Sequence, residues 1–373
     1  MKVLVVIGTR PEAIKMAPVV KELQRFDKTF QVTVCLTAQH RELLDQVIDV
    51  FQIPVTHDLN LMAPNQSILD ITCNVLRGIS DILDIEHPDV VLVHGDTTTS
   101  FAAALASYYK KISAGHVEAG LRTQNKYHPF PEEINRRLAD PICDYHYAPT
   151  QSAQDNLLRE GISESSITIT GNTVIDALLE VASTPYEFKD SLLAEAGTHR
   201  RLILVTAHRR ESFGESFENM CLGMRDIVDN NADVEIVYPV HPNPNVRTTA
   251  NRILGSASRV HLVDPIEYVP FVHLMKKSYL VLTDSGGVQE EAPSLGKPVL
   301  VMREVTERPE AIAAGTAMLV GTSRKRIFQT VQRLLDDQNE YLKMARAVNP
   351  YGDGKASLRI AEHLTRIAGS TLS

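Results

Sequence analysis

The chain has 373 residues, 43% of them hydrophobic and 23% charged, a composition that excludes a disordered or fibrous protein and leaves room for two domains with cores of their own. A formal charge of -8 excludes the basic balance with which nucleic-acid binders displace counterions, so no nucleic-acid partner is expected and an anionic ligand must be met by local cations. The four cysteines, Cys35, Cys73, Cys143 and Cys221, form no CxxC pair, which excludes a zinc or disulfide framework and suits small core residues in a reducing compartment.

The first apolar run, Val3 to Ile7, is too short for a signal peptide, and no later run is long enough to span a bilayer, so the expected location is the cytoplasm, away from membranes. That run opens a series of short β-branched strands alternating with helical patterns. "KVLVVI", "QVTVCLT", "DVVLVHG" and "ITITGN" fall in the first half, and "RLILVTAH", "VEIVYPVH", "RVHLVDP", "YLVLTDSGG" and "KPVLVMRE" in the second. Such alternation predicts parallel sheets covered by helices on both faces. The polar stretch 183–200 reads as a linker. The expected organisation is therefore a doubly wound Rossmann-like domain over 1–182, a linker over 183–200, a second such domain over 201–354 and a terminal helix over 355–373, packing back on the first domain. A cleft between the two domains follows.

Ligands of open parallel sheets gather at the carboxyl ends of strands, so the residues after each strand carry the chemistry. After the first strand, "GTRPEAIK" pairs Thr9 and Glu12 in capping-box spacing around Pro11. Capping leaves Arg10 and Lys15 unexplained, and two cations at a helix N-terminus suit an anion. "DVVLVHGDTTTS" ends in Asp96, where either Asp96 or a threonine caps the next helix. "AGHVEAGLRT" sets Glu118 among small residues, and "HPFPEEINRR" enters a helix at Glu132 and Glu133. Acids on successive strand-end loops can raise one another's pKa and divide the roles of acid and base; a magnesium or manganese site is the alternative left open by spacing. In the second half, "AHRRESFG" places His208 and Arg209, and "YPVHPNPNVR" places His241, past strands. The turn Ser285-Gly286-Gly287 offers backbone amides to phosphate. Glu290 and Glu291 follow, as partners of the helix dipole or with one of them meeting a ribose diol, and Arg308 precedes Pro309 in a second Arg-Pro turn. "DPIEYVPF" has the apolar, aromatic character to receive a flat base. No dinucleotide, Walker or kinase signature is present.

Together, "GTRPEAIKMAP", "VLVHGDTTTS", "GHVEAGLRT", "PFPEEINRR", "HRRESFGE", "YPVHPNPNVR", "LTDSGGVQEEAPSLGKPVLVMRE" and "NPYGDG" resemble, in order and over nearly the whole chain, the bacterial non-hydrolysing UDP-N-acetylglucosamine 2-epimerases. The resemblance implies a glycosyltransferase-B-like fold and a homodimer. It also implies interconversion of UDP-GlcNAc and UDP-ManNAc without an added cofactor or metal, by elimination of UDP to 2-acetamidoglucal and re-addition. By the same resemblance Asp96, Glu118 and Glu132 are the catalytic carboxylates, with no one of them assigned as the base at C2, and His208 meets the departing diphosphate. Arg10, Lys15 and Arg308 contact substrate, Ser285, Gly286 and Gly287 hold phosphate, Glu291 binds ribose, and Ile266 with Phe271 holds uracil. Some relatives carry an activating UDP-GlcNAc site. Its residues Gln39, Gln66, Arg209 and His241 are retained here, whereas Glu42 and Asn65 stand where the family pattern has glutamine and arginine. A UDP-sugar glycosyltransferase of the same fold, and a nucleotide-sugar sensor without catalysis, are the competing expectations.

Overall fold

A computed structural model describes residues 1–37, 41–61 and 66–371, with the side chains of 41–43, 370 and 371 left aside. The chain divides into two compact units, one formed by Met1–Ala177 together with the chain from Tyr351 onward, the other by Leu178–Pro350. Each is built on its own parallel sheet.

The first unit holds β1 (Lys2–Ile7), β2 (Gln31–Leu36), β3 (His57–Asp58), β4 (Val90–His94), β5 (Ser113–Val117), β6 (Tyr145–Ala148) and β7 (Ile167–Ile169) in the order β3-β2-β1-β4-β5-β6-β7. Val3 to Ile7 and Val90 to Val93 are almost wholly buried, as expected of central strands covered on both faces. The helix Arg10–Arg25 starts with the predicted capping box, Thr9 to Glu12, and buries Ala13, Met16, Ala17, Val20 and Leu23. Sequence order reverses between β1 and β4, so the loops after these two strands open at a topological switch point.

The helix Ala356–Thr371 belongs to this first unit. Asp176 accepts from the backbone N–H groups of Ala356 (3.2 Å) and Ser357 (2.8 Å), Arg359 donates to the Thr170 carbonyl (2.9 Å), and Ile360, Ala361 and Leu364 are buried. Where the chain re-enters, Gly171 and Gly352 take φ of +87° and +135°; a Cβ on Gly171 would lie 3.2 Å from the Gly352 Cα, so the two segments approach at glycine distance.

The second unit holds β8 (Arg201–Thr206), β9 (Val234–Pro239), β10 (Val260–Val263), β11 (Leu280–Thr283), β12 (Val299–Val301) and β13 (Ala317–Leu319) in the order β10-β9-β8-β11-β12-β13. Its switch point lies between β8 and β11. The segment 183–200 contains a short helix, Ser191–Glu195, whose Leu193 and Ala194 carbonyls accept from Lys277, while Tyr186 stacks on His273 at 4.8 Å. Strands β3, β5, β6 and β13 were not among the apolar runs read from the sequence. The reason is visible in β5 and β6, where Gly115, His116, Tyr145 and His146 replace β-branched residues and the buried polar groups are hydrogen-bonded. Among the described residues no helix is long and apolar enough to cross a membrane.

Candidate active site

In the first unit the loops after β1, β4 and β5 carry the candidate residues. Glu118, one residue beyond β5, adopts φ +63°, a left-handed conformation that costs a non-glycine residue about 1 to 3 kcal/mol and persists only where its surroundings fix it. They do so here. Lys15 donates to the Glu118 carboxylate at 2.5 Å and Asn172 at 2.7 Å, and the ring of His94 lies 3.7 Å away. The small residues flanking Glu118 are explained as well: Ala119 is fully buried, and a Cβ on Gly120 (φ +85°) would run into the Ala153 carbonyl.

His94, the last residue of β4, is 4% exposed, and its Nε2 is buried without a hydrogen-bond partner. Burial is the dominant cause and, with Lys15 and His116 nearby, outweighs the favourable Glu118 charge and pushes its pKa down to about 3. Its imidazole is therefore neutral across the physiological range, a polar group beside the carboxylate that adds no charge.

Asp96 does not cap the helix Thr98–Tyr109; Thr97 does, accepting from the Ser100 N–H at 3.1 Å. Asp96 is instead ion-paired to Arg136, and its carbonyl accepts from Asn135 at 3.0 Å. Both partners lie on the helix Glu132–Ala139, which begins where the sequence places Glu132 and Glu133. The two glutamates then part company. Glu133 is fully buried and accepts from the backbone N–H groups of Thr123 (3.0 Å) and Gln124 (3.2 Å), so it holds the preceding loop. Glu132 keeps a buried Oε2 with no hydrogen-bond donor. Each acid thus has its own environment, and cations and amides enter the electrostatics beside any repulsion among carboxylates. Glu12 is a structural hub, accepting from the N–H groups of Gly8 and Thr9 and from the hydroxyls of Thr97 and Ser100; burial raises its pKa despite these bonds.

A further network lies beneath these loops. His116 on β5 bonds the Gly95 carbonyl and Asp140 Oδ1, each at 2.6 Å, and Asp140 also accepts from Arg122 at 2.5 Å. Burial would raise the Asp140 carboxyl, but the charges of His116 and Arg122 win and hold it down at about 2. The ring and the carboxylate are fully buried, and they pin the turn at Gly95 (φ +67°) that leads into Asp96. Arg10 is half-buried at the first position of its helix. Gln66 donates to the Leu61 carbonyl at 2.8 Å, and Gln39 and Asn65 lie outside the described residues, as does the Glu42 side chain.

In the second unit the switch point between β8 and β11 gathers His208, Arg209, Asp284 and the Ser285-Gly286-Gly287 turn. Asp284 is fully buried; its Oδ2 accepts from the backbone N–H groups of His208 (2.6 Å) and Arg209 (2.7 Å). The rings of His208 and His241 are stacked with centroids 5.6 Å apart. The helix following the turn is Gly286–Glu291, with Gly287 exposed at its start. Glu290 is buried and ion-paired to Arg308, whereas Glu291 accepts from the Tyr268 hydroxyl at 3.2 Å. Gln289 accepts from Thr306, which in turn accepts from the Arg308 N–H, so the Arg308 turn is tied to this helix. Ile266 stands in the loop after β10, and half-buried Phe271 on the helix Tyr268–Lys277.

Sequence reasoning missed His94, Asn172, Arg136 and Asp284. A polar residue ending an apolar strand was the available signal for His94 and Asp284; Asn172 and Arg136 reach their partners from elements distant in the chain, and no local pattern marks them. Among the described residues no group of three or more His, Cys, Asp or Glu side chains is arranged to hold a metal ion.

The UDP-N-acetylglucosamine 2-epimerase family matches residues 21–365. A UDP-N-acetylglucosamine 2-epimerase from Escherichia coli O157:H7 is 57% identical over 98% of both chains. A crystal structure named UDP-N-acetylglucosamine 2-epimerase is 50% identical, covers 99% of this chain and 96% of its own, and superposes with a TM-score of 0.92. The Neisseria meningitidis enzyme, solved bound to UDP-GlcNAc, is 50% identical over 98% of this chain and 100% of its own, with a TM-score of 0.88. With this agreement in sequence and in fold along nearly its entire length, the chain belongs to the UDP-N-acetylglucosamine 2-epimerase family.

Proposed function

We propose that the protein interconverts UDP-GlcNAc and UDP-ManNAc by eliminating and re-adding UDP. A carboxylate takes the C2 proton, the C1–O bond breaks, and UDP leaves 2-acetamidoglucal behind. Return of a proton to the opposite face of C2, with re-formation of the C1–O bond, completes the inversion. Removal and delivery on opposite faces require two groups in different protonation states, and Glu118, Asp96 and Glu132 supply three differently surrounded carboxyls. The observation that carries this reading is Glu118 itself. A carboxylate fixed in a strained turn by Lys15 and Asn172, beside a neutral histidine, is preorganised in the manner of a proton-transfer group.

The remaining roles fall to cations and amides. Arg10 and Lys15 offset charge on the diphosphate, as does His208; Ser285 to Gly287 hold phosphate, Glu291 binds the ribose, Arg308 contacts the nucleotide, and Ile266 with Phe271 receives uracil. For a second, activating UDP-GlcNAc, Gln39, Gln66, Arg209 and His241 are the residues retained from the family pattern, and Glu42 and Asn65 depart from it.

The test is incubation of the protein with UDP-GlcNAc alone in deuterated water. Formation of UDP-ManNAc carrying deuterium at C2 is expected, and Glu118→Gln should abolish the exchange while UDP still binds. Return of unchanged substrate after long incubation overturns the reading, and release of free ManNAc with UDP indicates hydrolysis instead. Transfer of the sugar to an added acceptor without C2 exchange would mark a glycosyltransferase.

A further inference from the structure

The buried carboxylate of Asp284 is only half satisfied. Its Oδ2 closes the turn after β8 through the two backbone amides of His208 and Arg209. Its Oδ1 is buried with no hydrogen-bond partner, an arrangement that is costly for a carboxylate and rarely persists without a role. The ring of His208 is the group facing it, with Nδ1 at 3.5 Å, a separation that a small swing of the imidazole converts into a hydrogen bond. The approach is rigidly prepared. The Asp284 N–H donates to the Thr206 carbonyl at 3.0 Å, and the hydroxyls of Thr206 and Thr283 lie 2.6 Å apart, fastening the ends of β8 and β11 together.

We propose that Asp284 is a positioning residue for His208, receiving the Nδ1–H on its buried Oδ1 and so leaving Nε2–H to donate to the departing diphosphate from a positively charged ring. This rests on the role given to His208 above. No covalent bond changes in the step: the ring is already protonated on both nitrogens when UDP leaves, and it contributes charge and one hydrogen bond. The pattern follows a general rule, that a working imidazole is held by a third group on its far nitrogen. The groups acting on His208 are Asp284, which favours the charged ring, and Arg209 and His241, which oppose it together with burial; the net effect lowers its pKa from the ordinary value. Asp284 is thus the one of these neighbours that favours the charged ring, and a bound diphosphate adds to its effect.

Nitrogen-15 NMR of the histidine rings tests this directly, with His208→Asn identifying the resonance. The neutral His208 ring should be the Nδ1–H tautomer in the unaltered protein, and the Nε2–H tautomer would overturn the proposal without any variant at position 284. Asp284→Asn keeps an acceptor for the two amides and should lower the His208 midpoint by about one pH unit; an unchanged midpoint also overturns it. The basic limb of the kcat/KM profile should move down with that midpoint, whereas a uniform loss at every pH would mark a merely structural carboxylate. In a His208→Asn background, Asp284→Asn should cost little further activity. Because the NMR readouts need no turnover, failure of the epimerase reading and failure of the Asp284 proposal are separately visible.

Discussion

At the scale of single residues, the first unit buys the placement of Glu118 with groups that dislike acid. His94 is held neutral in the fold with a pKa pushed down to about 3 from 6.5. Between those values the unfolded chain binds a proton that the folded chain refuses, so stability is greatest above pH 6.5 and falls as pH drops through the window. Asp140 adds to this lower down: its depressed carboxyl contributes stability above its ordinary value of 3.8, which is lost as pH falls toward about 2. His94→Gln removes the first of these couplings. Urea unfolding at pH 7, 6 and 5 should therefore show a shallower pH dependence in the variant, the difference approaching about 1.4 kcal/mol per pH unit once residue 94 is protonated in the unfolded state. Identical slopes would mean that His94 is not kept neutral.

Among elements, the terminal helix Ala356–Thr371 reaches the unit that carries the acids from the far end of the chain. Its apolar stripe is legible in the sequence, but the partners of that stripe are not. Ile360, Ala361 and Leu364 are fully buried, and the His363 ring lies 3.1 Å from the Tyr147 hydroxyl of β6. Leu364→Ala should destabilise by about 2 to 5 kcal/mol, the range for an aliphatic side chain deleted from a packed core. The urea midpoint of the unit should fall while the denaturant slope stays constant; a change below about 0.5 kcal/mol would show the helix to be peripheral. The elements that escaped notice in the sequence share one cause. A strand such as β5, "SAGHV", is stabilised by buried hydrogen bonds to His116 and close packing at Gly115, and neither leaves an apolar run to read.

For the whole molecule, connectivity has a testable consequence. The second unit is a continuous stretch between two segments of the first, with a sheet and core of its own, so residues 178–350 expressed alone should fold cooperatively, as judged by circular dichroism and a single urea transition. A gradual, non-cooperative loss of signal would tie its folding to the flanking chain. The sequence by itself determined the fold class, because most of its buried parallel strands carry β-branched runs and the helices between them a period near 3.6. It also placed Asp96, Glu118, His208 and the Ser285 turn at strand ends, since in such sheets position along the chain implies position on the sheet edge. Only the tertiary structure decided what each of them faces. Lys15 and Asn172 reach Glu118, Arg136 reaches Asp96 and Asp284 closes beneath His208 from segments remote in the chain. The reason is physical: periodicity records which face of an element is buried, whereas a hydrogen bond between side chains depends on a register and a distance that exist only once separate elements have packed.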